Sequence, residues 1–75
     1  SAASDVYKRQ ELGRLAKELD RLIAEQGRLA GKLSNDNFVA RAPADVVDKE
    51  RAKLADIETS ISSVTAQKSK MEELR

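Results

Sequence analysis

The stretch "KLSNDNFVARAP", residues 32–43, decides how this chain folds. Ser34, Asn35, Asp36 and Asn37 form a polar cluster whose side chains compete for backbone hydrogen bonds, and such residues favour caps and turns over helix interiors. Pro43 has no backbone N–H to donate and suits the first turn of a new helix. The stretch also holds Phe38 and Pro43, the only Phe and the only Pro of the 75 residues. One helix therefore ends near residue 33, another begins near residue 43, and residues 34–42 form a tip between them.

Outward from this tip, both flanks carry the same period. Backwards, the seam reads Leu33, Leu29, Gln26, Leu22, Leu19, Leu15 and Leu12; forwards, it reads Val47, Glu50, Leu54, Ile57, Ile61, Val64, Lys68 and Met71. The steps alternate between three and four, the a/d spacing of a coiled-coil seam. Two such stripes joined by a short linker bury each other only by folding back antiparallel. If Leu33 faces Val47, facing residues have numbers that total about 80. Gln26 then meets Leu54, Leu22 meets Ile57, Leu19 meets Ile61 and Leu15 meets Val64, all seam positions on both helices. The fold class is all-α, an antiparallel two-helix coiled-coil hairpin, with helices over about 11–33 and 43–73. At 1.5 Å per residue, residues 11–33 make an arm of roughly 35 Å.

Local chemistry refines this picture. Asp45 and Asp48 suit the start of the second helix, and Arg28 and Lys32 the end of the first, because the macrodipole favours those signs there. Gln26 on the seam reads as a polar residue that fixes register. Phe38 and Val39 are expected to close the seam at the tip, and Gly31 to let the helices approach. "ETSISSVTAQ", residues 58–67, crowds Ser, Thr, Ile and Val into a helix, where each costs up to about 0.7 kcal/mol against Ala. Residues 59–65 should be the softest part, and Lys68 opposite Leu12 points to a fraying open end. The opening "SAASDVYKRQ", residues 1–10, carries no apolar period that joins the seam and resembles the translated adapter runs found at the ends of metagenomic gene fragments. Those ten residues are read as a non-native scar, the alternative being a native, frayed helix start, and residues 11–75 as the arm.

Composition removes whole classes of function. With 36% charged and 3% aromatic residues there is no bulky core to enclose a substrate. Cys and His are both absent, which removes thiolate metal sites, disulfides and the commonest general base. No apolar run approaches the roughly 20 residues that span a bilayer. Carboxylates sit at helical spacings beside cations, as Glu18 does with Arg14 and Arg21, the pattern of solvated ion pairs. Gly13, Gly27 and Gly31 stand alone on a helix and form no phosphate loop. The expectation is no catalytic residue, no metal site and no cofactor. What remains is a cluster of cations, Arg28, Lys32, Arg41, Lys49, Arg51 and Lys53, in the half of the arm nearest the tip. With a net charge of +1, that cluster is either a nucleic-acid surface or a solvated charged face.

"GKLSNDNFVARAPADVVDKERAKL", residues 31–54, closely resembles the tip of the C-terminal coiled-coil arm of bacterial valyl-tRNA synthetases. The resemblance rests on Gly31 to Asn35, Asn37 to Val39, Arg41 to Pro43 and Val46 to Leu54. Ala44 departs from it where the family often has an acid, and so does the Ser/Thr-rich run from Thr59 to Thr65. It implies a fragment of a class I synthetase that joins valine to tRNA using ATP with magnesium, in the cytoplasm, with catalytic, editing and anticodon-binding parts elsewhere in the parent. The arm would be a monomer whose partners are valine-specific tRNA, at its outer D-loop/T-loop corner, and the rest of the synthetase. On that resemblance the RNA contacts are expected at Arg28, Lys32, Arg41, Lys49, Arg51 and Lys53, with Asn37 and Phe38 shaping the tip. Two alternatives stay open: the hairpin arm of another translation-associated protein, and a dimerising structural coiled coil.

Overall fold

The structure, a computed structural model, describes residues 2–74. Ser1, part of the segment read as a scar, and Arg75, the end of the expected arm, lie outside the described residues. The chain forms α1 (Ala2–Leu33), α2 (Asp36–Arg41) and α3 (Ala44–Glu73). α1 and α3 pack along each other in a rod of 58 × 14 × 13 Å. Among the described residues there is no strand. The antiparallel sense is visible in side-chain contacts between the helices. Lys32 reaches Glu50, Gln26 reaches Glu58, and Lys8 reaches the Leu74 carbonyl, pairs whose numbers total 82, 84 and 82. These totals lie just above 80, as expected when long side chains slant along the seam.

The seam follows the heptads. Leu15, Leu22 and Val47 are buried, and in α3 the positions that escape full exposure are Val47, Glu50, Leu54, Ile57, Ile61, Val64, Lys68 and Met71. A two-helix contact shields only one stripe of each helix, so most of these residues are half-buried. Burying a Leu fully contributes about 1.5–3 kcal/mol, and this rod collects only part of that at most positions. Gln26 is half-buried and donates its side-chain N–H to Glu58 at 3.5 Å, a weak bond that nevertheless spans the seam.

The tip is more ordered than a plain turn. α1 closes with Ser34 N–H bonded to the Ala30 carbonyl at 2.9 Å and Asn35 N–H to the Lys32 carbonyl at 3.2 Å. Asn35 then caps α2, its side-chain oxygen accepting from the Asn37 N–H at 3.0 Å. α2 ends because Pro43 disfavours helical torsions at the residue before it, and Ala42 sits at φ −72, ψ 147. Pro43 is the N-cap of α3 rather than its first residue, and its carbonyl accepts from Val46 and Val47 at 3.0 and 3.1 Å. Phe38 and Val39 are both half-buried, as expected of residues that close the end of the seam.

Two expectations change. The first helix starts at Ala2, not near residue 11. α3 runs to Glu73, so its last turns lie alongside earlier residues of α1, and there the Lys8 ammonium bonds the Leu74 carbonyl. Gly31 does not mediate a close approach: a Cβ built there meets nothing within 4 Å, because Gly31 points to solvent. The run 59–65 is helical throughout, with the Thr59 hydroxyl donating back to the Ala55 carbonyl at 3.0 Å.

Candidate nucleic-acid interface

The cations of the tip half divide between two flanks of the seam. On one flank, Glu25, Arg28, Leu29, Lys32, Glu50, Lys53 and Ile57 line an open groove of ≈ 420 Å³. Glu50 sits at its centre with its side chain 14% exposed, 3.8 Å from Lys32 across the seam and 3.8 Å from Lys53 on its own helix. Arg28 is 77% exposed and only grazes Glu25, at 4.0 Å. On the other flank, Val39, Ala42, Ala44, Val47, Asp48 and Arg51 line a shallower depression.

The eight residues expected at the interface therefore play unlike parts. Arg41, Lys49 and Arg51 are exposed and have no ion-pair partner among the described residues. Their charges are free to meet an anion. Arg28 and Lys53 are exposed with weak partners along one helix. Lys32, also exposed, lies over the tip, its ammonium 5.0 Å from the centre of the Phe38 ring. Asn37 is exposed and contributes its backbone N–H to the α2 cap. Phe38 is half-buried against Lys32. The eight residues do not converge on one point but wrap the tip.

Sequence reasoning singled out neither Glu50 nor Asn35 for the site. A carboxylate on an apolar seam was the signal for Glu50, since such a position demands a partner from the facing helix. Asn35 was visible only as one of four polar tip residues.

Elsewhere the charges are local. Arg14 pairs with Glu11 at 3.0 Å and Arg21 with Glu18 at 2.6 Å. Hydrogen bonds from these guanidinium groups hold both carboxyls below the usual glutamate range, and the same bonds raise the two arginines. Among the described residues, no group of three or more acidic side chains is placed to hold a metal ion. No described helix is long and apolar enough to cross a membrane.

These features define a class: a long, slender helical hairpin that carries exposed cations around a capped tip. The chain belongs to the family described as the valyl tRNA synthetase tRNA binding arm, which matches residues 5–72. It is 48% identical over 65 residues, 87% of its length, to a valine–tRNA ligase of Psychrobacter arcticus. It is also 48% identical over 58 residues, 77% of its length, to one of Xanthomonas oryzae pv. oryzae. The chain spans 6% of the length of each of these relatives. No solved structure matches it.

Proposed function

We propose that this chain is the tRNA-facing arm of a valine–tRNA ligase, a strut that sets its tip against the outer corner of tRNA(Val), where the D- and T-loops meet. The observation that carries the reading is the family-matched tip, closed by α2 and ringed by the exposed Arg41, Lys49 and Arg51. A rod 58 Å long delivers those charges far from the body of an enzyme without needing a large core. Cations on such a surface neutralise phosphates and release counterions, so they read backbone shape rather than base edges. The apolar Val39 and Ala42 beside Arg51 offer a surface on which an exposed base pair packs.

The arm acts by positioning. Contact at the corner orients the whole tRNA, so its acceptor end meets the catalytic part of the parent without a further search. The chain itself supplies no catalytic group and no cofactor. ATP, with its magnesium, is bound and consumed by the parent's catalytic part in the cytoplasm, and the arm works as a monomer attached to it.

Fluorescence anisotropy of the 75-residue chain with tRNA(Val), at low and physiological salt, tests this reading. Affinity should fall as salt rises, and should be lost for a tRNA whose D-loop/T-loop contact is broken by substitution. Equal binding to the intact and broken tRNAs would refute corner recognition. Sedimentation of the same sample should give a monomer, and a stable dimer would favour the structural coiled coil.

A further inference from the structure

Three elements meet at one ammonium group. Lys32 lies in the last turn of α1, Phe38 is in α2 and Glu50 is in α3. The Lys32 Nζ stands 5.0 Å from the centre of the Phe38 ring and 3.8 Å from a carboxylate oxygen of Glu50. Glu50 occupies a seam position with its side chain only 14% exposed. A carboxylate so placed needs cations close by, and it divides its two oxygens between Lys32 and Lys53. A cation over an aromatic face is attracted by the ring's quadrupole, more strongly as water is excluded. The other cations of the same groove are more open, with side-chain exposures of 69% at Lys53 and 77% at Arg28 against 47% at Lys32.

We infer that Lys32 is a positioning residue of the tip: Glu50 holds its ammonium over the Phe38 ring, the three side chains fix how α2 is seated on the hairpin, and Lys32 is not one of the phosphate contacts. The latch itself is a property of the free chain. Only its last clause rests on the tRNA reading. α2 has six residues, far too few to be a stable helix alone. Its cap at Asn35 settles where it begins but not how its Phe38 face sits. The Lys32 ammonium supplies that second anchor, and it comes to the tRNA already engaged by Glu50, whose one negative charge it shares with Lys53. Arg51, on the opposite flank and without an ion-pair partner among the described residues, does not.

The test uses the 75-residue chain in two steps. In the absence of RNA, NMR should show ring-current shifts and cross-relaxation between the Lys32 ε-protons and the Phe38 ring. Glu50→Gln should abolish both signals, while Lys53→Met should keep them. Lys32→Met should move the Phe38 ring resonances, and Lys32→Arg, which keeps the positive charge and sets a planar cation over the ring, should restore the cation–ring contact. Circular dichroism confirms that each variant remains helical. In the second step, the slope of log affinity for tRNA against log salt should fall by about 1 for Arg51→Gln and stay unchanged for Lys32→Met. Survival of the ring signals in Glu50→Gln would overturn the latch. A slope change at Lys32→Met as large as that at Arg51→Gln would overturn its exclusion from the phosphate contacts. If the first step behaves as expected and the chain binds no tRNA, the latch stands and the corner reading falls.

Discussion

Near the tip, charged and polar side chains pair with one another across the seam; toward the open end the contact that crosses is Lys8 with a backbone carbonyl, that of Leu74, and the side-chain pairs lie along a single helix. Lys32 with Glu50 and Gln26 with Glu58 both span the seam in the tip half. Toward the open end, Arg14 with Glu11 and Lys68 with Glu72, and at mid-rod Arg21 with Glu18, are neighbours three or four residues apart. Pairs of the second kind support a helix by a few tenths of a kcal/mol but say nothing about what lies beside it. Pairs of the first kind set register and hold the end of the hairpin in one arrangement. The difference suits the proposed function, in which the tip must present a defined shape to a partner and the open half need only carry it.

The largest loss of stability is expected at the seam. Leu22→Ala empties a buried position and should cost about 2–4 kcal/mol, read as a lower midpoint in thermal unfolding. Leu12→Ala, at a half-buried position nearer the open end, should cost clearly less. Equal losses would mean that the two halves are packed alike. Asn35→Ala removes the α2 cap and should cost about 1 kcal/mol, seen first as faster hydrogen exchange at the Asn37 amide. Gly27→Ala and Gly13→Ala should each stabilise the rod, by about 0.5–1 kcal/mol. Neither glycine has anything within 4 Å of an added Cβ. A loss at either would reveal a close contact the free rod does not show.

Hydrogen exchange should differ along α3. Amides of residues 59–65 should exchange faster than those of 50–57, because β-branched and hydroxyl residues weaken the helix and the Thr59 hydroxyl competes for a backbone carbonyl. The smallest effect concerns pH. The carboxyls of Glu11 and Glu18 are lowered by hydrogen bonds from Arg14 and Arg21. A lowered carboxyl adds stability above its unfolded value and loses it as pH falls through the folded one. A slight drop in unfolding midpoint is expected as pH falls below about 4.3, the ordinary glutamate value. Both guanidinium groups are open to solvent, so salt should shrink the drop.

How much of this was legible in the residues follows from what each signal needs. Heptad spacing names the seam residue by residue, from Val47 to Met71, because burial on a two-helix rod depends only on which stripe faces the partner. Pro43 and the run Ser34 to Asn37 mark the turn, because proline and short polar side chains act on their own backbone. The helical state of Asp36–Arg41 was not legible, since six residues are fewer than two turns and show no period. The start of α1 was missed because residues 2–10 are exposed but for a half-buried Lys8, and hydrophobic patterning does not register a helical stretch that buries no apolar stripe. Gly31 was misread because the sequence gives its position on a helix but not which way that face points. The cations of the tip were all visible in the sequence. Their division into free charges and a latch was not, because it depends on where Glu50 and Phe38 meet Lys32 in space.

The central claim is that the tip, and not the rod, meets RNA. A heteronuclear NMR titration of the 75-residue chain with tRNA(Val) at two salt concentrations tests it most directly. The account predicts salt-sensitive shifts confined to residues 28–53, strongest at Arg41, Lys49 and Arg51. Shifts spread evenly along both long helices, or none at low salt from a folded monomer, would contradict it.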